Sequence, residues 1–216
     1  MIFYFLLMEP NKPVAFETNN FITDYECKRL IEYQESRCPN DLRAGFWAGR
    51  ITDQYSTTIK PLIDDIHIKI CYFMQQFYNE KVYLEYSNLV YWGKGMDLPV
   101  HADNFNIHDL STINNTKFKY RDYGYILYLN GDFQGGELWF PKHDDYKIKP
   151  TAGKLVFFTG GSKDMHGVTK ITDGKRYTLT GWFTKTKSRS RMVIEEEELE
   201  AVKKLQPHNC FGVRKL

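Results

Sequence analysis

The sequence predicts an α+β fold, on three observations. Two amphipathic helical patterns lie within residues 1–80. From residue 81 onward the apolar spacing shifts to period two, in β-branched and aromatic residues. Turn dipeptides then cut that second part into short pieces. Helices followed by a run of strands is the order expected when helices pack on one face of a sheet or barrel. The chain of 216 residues suits one domain and can bury a full core without crosslinks. Aromatic residues make up 16% of it, including 15 Tyr and 15 Phe, which favours strands.

The apolar start, Met1 to Met8, reads as a strand or as an extension ahead of a start at Met8. The first helix begins at Thr23, which stands three residues before Glu26 in capping-box spacing, and runs to about Glu35. Pro39 and Asn40 open a loop that extends to Tyr55. A second helix covers 58–78, where Ile59, Leu62, Ile63, Ile66, Ile70, Phe73, Met74 and Phe77 recur at three- and four-residue steps. Strands are expected at 82–92, 123–129, 136–140, 155–159 and 177–184. The turns between them are marked by Asn130-Gly131, Gly135-Gly136, Pro150, Gly160-Gly161 and Asp173-Gly174. A last, surface helix spans 194–205. The organisation is therefore a helical support over 1–80, belonging to the same domain, a core over 81–187, and a helix and tail over 188–216.

Net charge is only +2, so there is no general electrostatic signature of nucleic-acid binding. The basic run Lys185, Lys187, Arg189 and Arg191, followed by Glu195–Glu198, reads as a solvated linker and a charged helix. Four cysteines without CxxC pairing fit a reducing compartment. The N-terminal apolar run, about seven residues, is too short to span a bilayer. It also lacks the flanks of a secretory signal. A soluble, cytoplasmic protein with no membrane and no nucleic-acid partner is the expectation.

Val100-His101-Ala102-Asp103 follows a strand and a Gly-rich turn. Side chains two apart in an extended segment share a face, so His101 and Asp103 can grip one ion. Two histidines and one carboxylate on one face of an octahedron suit iron(II) and leave three positions open. An HxD pair alone is a weak signal, and a surface His beside a turn Asp gives the same letters. The context adds His166, shortly beyond the apolar stretch Leu155-Val156-Phe157-Phe158-Thr159, and then Arg176 ten residues later. An arginine there can pair with a carboxylate through two parallel hydrogen bonds. Read without that context, His166 is a solvated loop residue and Arg176 an exposed strand residue.

Three segments carry a resemblance. They are Tyr91 with His101-Ala102-Asp103, Tyr128-Leu129-Asn130 with Gly135-Gly136-Glu137-Leu138, and His166-Gly167-Val168 with Gly174-Lys175-Arg176-Tyr177 and Trp182. In order and spacing this set, over about residues 85–185, resembles the iron(II)/2-oxoglutarate-dependent dioxygenases of the prolyl 4-hydroxylase family. The resemblance implies a double-stranded β-helix (jelly-roll) core with supporting N-terminal helices. It implies that His101, Asp103 and His166 ligate Fe(II) and that Arg176, helped by Tyr128, holds the far carboxylate of 2-oxoglutarate. It also places Tyr91, Thr180 and Trp182 in the pocket and makes L-ascorbate an expected reductant. The activity implied is hydroxylation of peptidyl proline. Many collagen-type members carry lysine where Arg176 stands, so the subfamily stays open. So do lysyl residues, a free amino acid or another small molecule as substrate, and a catalytically idle binding module on the same fold. A cupin-like zinc or manganese enzyme is disfavoured by the lack of an HxH pair followed by a glutamate.

Two loops are the expected substrate determinants and are predicted to close over a peptide. One, at 38–55, holds Arg43, Phe46, Trp47 and Arg50. The other, at 104–122, holds Asn114, Asn115, Lys117, Lys119 and Arg121. His108-Asp109 and His143-Asp144-Asp145 lie in polar stretches and read as solvated surface, and His208 as exposed.

Overall fold

The computed structural model describes residues 15–37, 50–104, 118–205 and 214–215. The N-terminal apolar run, most of loop 38–55, the middle of loop 104–122, His108 and His208 lie outside the described residues.

The chain begins with strand β1 (Ala15–Thr18) and helix α1 (Asp24–Arg37). The expected capping box forms. The Thr23 backbone N–H donates to Glu26 Oε2 at 2.7 Å, and the Glu26 N–H donates to Thr23 Oγ1 at 3.2 Å. Each satisfies a donor that the first helical turn leaves without a carbonyl, an arrangement worth about 1 kcal/mol. Strand β2 (Arg50–Thr52) precedes helix α2 (Lys60–Tyr78), which carries proline in its first turn and ends on Asn79 in the left-handed conformation. Ile63, Ile66, Ile70, Phe73 and Met74 form its buried stripe.

Among the described residues the further strands are β3 (Tyr83–Trp92), β4 (Leu98–His101), β5 (Tyr123–Tyr128), β6 (Leu138–Phe140), β7 (Tyr146–Ile148), β8 (Leu155–Thr159), β9 (His166–Val168), β10 (Arg176–Thr184) and β11 (Arg214–Lys215). Helix α3 (Glu196–Leu205) comes before the last of them. The strands make two antiparallel sheets. The larger has the order β11-β1-β8-β5-β10-β3-β2, and the smaller β4-β9-β6-β7.

Three layers result. Tyr125, Leu127, Leu155 and Phe157 project from β5 and β8 toward α1 and α2. Ile126, Tyr128, Val156 and Phe158, the alternate residues, face Leu138, Phe140 and Ile148 of the smaller sheet. β5 is buried at all six positions because both of its faces are covered. Phe157 stacks on Phe16 at 4.4 Å between centroids, tying β1 into the helix-side core. The two facing sheets are those of the jelly-roll the sequence resemblance implies.

The sequence reading missed β1, β2, β4, β7, β9 and β11. All are four residues or fewer and too short to display a period. Residues 1–80 thus supply two sheet strands as well as helices. The basic run at 185–191 is solvated, as expected, and three of its residues also make surface contacts. Lys185 Nζ lies 2.7 Å from Glu80, Arg189 pairs with Glu85 at 3.8 Å, and the Arg191 guanidinium covers the Tyr86 ring at 5.2 Å. Among the described residues, no helix is long and apolar enough to cross a membrane.

One histidine belongs to the core. His67 of α2 is buried, with Nε2 2.8 Å from the Tyr125 hydroxyl. Burial pushes its pKa down to about 3, and Lys60 adds to that shift. Its folded pKa lies below the unfolded value of about 6.5, so the unfolded chain binds the proton more readily. The stability this site contributes is complete above about pH 6.5 and is lost as pH falls toward 3. The slope is at most about 1.4 kcal/mol per pH unit. Urea midpoints measured between pH 7 and 4 should therefore fall less steeply for His67→Gln than for the wild type. Parallel curves would remove His67 from the acid sensitivity.

Candidate active site

Strand pairing assembles the three predicted ligands. β4 runs antiparallel to β9, with His101 directly opposite His166. Asp103 follows His101 by two residues and reaches the same side. His101 Nε2 is 3.6 Å and His166 Nε2 3.8 Å from Asp103 Oδ1. One donor atom from each residue falls within 4.8 Å of the others. Each imidazole is also aimed from behind. His101 Nδ1 lies 2.9 Å from the Pro99 carbonyl, and His166 Nδ1 3.1 Å from the Asp164 carbonyl. A carbonyl can only accept, so each Nδ1 carries the proton and each Nε2 presents its lone pair to the centre.

The electrostatics favour the metal-binding form at Asp103 and His166 and work against it at His101. Burial works to raise the Asp103 pKa, but the two neighbouring imidazoles overcome it and the carboxyl is held below its ordinary range. For His166 burial prevails, and the pKa falls despite Asp103. For His101, burial is outweighed by Asp103 and the Pro99 carbonyl, and the pKa rises. An anionic carboxylate beside a neutral, correctly oriented imidazole is a ligand set in its binding form.

A cavity of about 430 Å³, counting the space open at its mouth, extends from this cluster between the two sheets. Asp103 and His166 line one part, and Ile126, Leu138 and Val168 give it apolar walls. Arg176 lines it too and is only 3% exposed. Its guanidinium carbon lies 5.0 Å from the Trp92 ring centroid and 5.2 Å from that of Tyr128. Its Nε donates to the Gly136 carbonyl at 3.2 Å. Burial presses its pKa down, and the interaction with Tyr128 is what opposes this. No carboxylate among the described residues pairs with it. A buried guanidinium without an anion costs several kcal/mol, so this end of the cavity suits a carboxylate supplied by a ligand. Gly136 permits the arrangement. Its φ of +70° suits glycine, and a Cβ there would come within 3.0 Å of Arg176 Cδ.

The remaining expected pocket residues divide. Tyr128 is fully buried beside Arg176. Thr180 and Trp182 line the cavity, but the Thr180 hydroxyl donates to the Tyr125 carbonyl at 2.7 Å. Thr178, which the sequence does not single out, lines the wall with a buried hydroxyl that has no hydrogen-bond partner among the described residues. Tyr91 is not brought to the cavity. Alternation along β3 sends Val90 and Trp92 inward and turns Tyr91 toward the helices, where it stacks on Tyr177 at 5.1 Å. Trp92 therefore holds the position expected of Tyr91.

At the mouth, the Arg121 guanidinium covers the Trp182 ring at 3.6 Å and the Phe118 ring at 4.1 Å. Its Nε is 3.6 Å from Glu85. Of the two loops expected to choose the substrate, only Asn104, the residues from 118 onward, and the stretch from residue 50 are described. The Arg50 side chain lies outside that description.

Residues 86–184, the stretch that holds the three ligands, the cavity and Arg176, match the family model of the 2OG-Fe(II) oxygenase superfamily. The chain carries a 2OG-Fe(II) oxygenase domain. Rat prolyl 3-hydroxylase 1 is 40% identical to this chain over 93 residues, which are 40% of this chain and 13% of that protein. The chain thus spans only a small part of that relative's length. Two solved structures share the fold. The viral collagen prolyl hydroxylase of Paramecium bursaria Chlorella virus-1 superposes with a TM-score of 0.66 at 20% identity, covering 84% of this chain and 99% of that one. A prolyl hydroxylase from Trichoplax adhaerens, in complex with a hypoxia inducible factor peptide fragment, gives 0.60 at 20%, covering 83% and 87%.

The donor set and the buried guanidinium fit the Fe(II) and 2-oxoglutarate of this superfamily. The oxygenase domain should bind 2-oxoglutarate roughly 10- to 150-fold more weakly once Arg176→Met removes its charge-assisted hydrogen bonds. The same change removes an unpaired buried charge, so the melting temperature of the ligand-free protein should hold or rise. Trp92→Ala should weaken 2-oxoglutarate roughly threefold to thirtyfold through loss of the ring against Arg176. Tyr91→Ala should lower stability and leave that affinity near wild type. Calorimetric titration reads both pairs, and a Tyr91 effect on affinity equal to that of Trp92 would reverse the assignment.

Proposed function

We propose that this protein is an Fe(II)- and 2-oxoglutarate-dependent dioxygenase that hydroxylates peptidyl proline. One observation carries the reading: Asp103 and His166 of the ligand cluster line the same cavity as the buried Arg176, which has no carboxylate partner among the described residues. A metal site alone needs no such cation. A site shared between a metal and a dicarboxylate does.

In this reading His101, Asp103 and His166 hold the iron. Arg176 holds the C5 carboxylate of 2-oxoglutarate, with Trp92 and Tyr128 fixing the plane of the guanidinium and the Thr178 hydroxyl offering a further hydrogen bond. Bound together, iron and 2-oxoglutarate would supply the oxidation, with dioxygen as oxidant: one oxygen atom goes into succinate as the cosubstrate loses carbon dioxide, and the other into a substrate C–H bond. Ile126, Leu138 and Val168 exclude water from the ion pair at Arg176, which strengthens it. Arg121 and Trp182, stacked at the mouth, are placed to meet the substrate before it reaches the ligands. The peptidyl-proline assignment is supported by the prolyl hydroxylase relatives and by the peptide complex of the Trichoplax adhaerens neighbour.

Incubated with Fe(II), 2-oxoglutarate, ascorbate and proline-rich peptides, the protein should release succinate in step with a peptide product heavier by one oxygen. Amino-acid analysis of that product then gives the ring position. His166→Ala and Asp103→Ala should abolish turnover and leave the near-UV circular dichroism unchanged. Turnover stimulated by a free amino acid and by no peptide would refute the prolyl assignment.

A further inference from the structure

His143 was expected in solvent, yet it is 6% exposed. It sits in the β6–β7 turn, where Asp144 and Asp145 both take positive φ, 53° and 56°. Two consecutive left-handed non-glycine residues are unfavourable, and such strain persists only where the surroundings hold it. The turn delivers the imidazole inward. His143 Nε2 lies 2.9 Å from Asp164 Oδ1 and 3.2 Å from the Lys163 carbonyl.

Asp164 is fully buried in the short 3-10 helix Ser162–Asp164. Its second carboxylate oxygen accepts a hydrogen bond from the Thr159 hydroxyl at the end of β8. Thr159 thus holds one oxygen of the carboxylate and His143 packs against the other while donating from Nε2 to the Lys163 carbonyl next door, and the Asp164 backbone carbonyl is the group that receives His166 Nδ1. Thr159 leads directly into Gly160, whose carbonyl accepts the Asn104 N–H at 3.1 Å, one residue beyond Asp103. The His143 ring also packs on Phe140 at 6.3 Å, and Phe140 in turn lies against the His166 ring at 5.9 Å.

We propose that His143 is a positioning residue of the metal site. By donating to the Lys163 carbonyl and packing against the Asp164 carboxylate opposite Thr159, it holds the Asp164 carbonyl where it fixes the proton on His166 Nδ1 and aims Nε2 at the metal. The inference rests on the reading of His101, Asp103 and His166 as metal ligands. A cluster that merely tied down the β6–β7 turn would affect stability and leave metal affinity alone. Groups that orient a ligating histidine typically contribute about 10- to 100-fold to metal affinity.

The test is an anaerobic titration of the metal-free protein with Co(II), followed through the visible d–d absorption, with thermal melting recorded alongside. His143→Ala should bind Co(II) about 10- to 100-fold more weakly than wild type and retain a cooperative melt. His143→Gln places an amide donor near the former Nε2 and should recover most of the affinity. Wild-type affinity in His143→Ala overturns the proposal alone, as does a His143→Gln variant no better than alanine. A wild-type protein that takes up no Co(II) overturns the ligand reading and this proposal with it.

Discussion

The site depends on the register of one short antiparallel pair, β4 against β9. That pairing sets His101 opposite His166, and a slip of one residue would turn one imidazole to the other face of the sheet. The ligands do not themselves fix the register. Leu98 pairs with Val168, Leu138 faces Val168 from the other side, and Leu138 pairs with Ile148. These apolar residues are buried in the cores on the inner side of the smaller sheet. Hydrophobic burial, the largest favourable term in folding, is thereby used to bring the donor atoms of two metal ligands within 4.8 Å of each other.

Burial also gives the cavity its polarity. Asp103 and Arg176 are both almost wholly removed from water, and each would resist that in isolation. Asp103 is compensated at once by two imidazoles. Arg176 is compensated by two aromatic faces and one carbonyl, none of which carries a full negative charge. The fold therefore retains an unbalanced cation at a definite place. A ligand carboxylate entering there recovers a strong interaction in a low-dielectric setting, whereas a neutral molecule of the same shape does not.

Much of this was legible in the sequence, for identifiable reasons. Helices α1 and α2 announce themselves through a capping box and a long apolar period. The long strands β3, β5 and β10 show through their composition. The three ligands and Arg176 stood out because they combine unusual residue types at fixed spacing around glycines. Tyr91 was misplaced because strand parity is a one-bit property. Five residues, 93–97, separate β3 from β4, and β4 pairs with β9 through an irregular register. Nothing in the letters says which of Tyr91 and Trp92 points inward. Thr178 was overlooked because a hydroxyl's availability depends on its hydrogen bonds, and only the fold shows that Thr180 has used its own. His143 was misread because a His-Asp-Asp turn looks polar whether it points out or in.

Substrate choice and metal binding are held by different forces, and this bears on how the two can vary. The ligand register is a property of apolar cores that tolerate little change in volume. The mouth is built from charge and stacking. Arg121 lies on Trp182 and Phe118, Glu85 is shared between Arg121 and Arg189, and Tyr86 sits beneath Arg191 and stacks against Trp182. These contacts come from three separated stretches of chain, and they pass from the exposed Phe118 and Arg189 to the buried Glu85 and Trp182. A substitution among them changes what can approach the cavity and leaves the pairing of His101 with His166 untouched. Trp182 is the exception, since one side chain serves both regions: it lines the cavity near Asp103 and carries the Arg121 stack on its ring. It is the point at which an occupant of the mouth can be felt by the metal ligands.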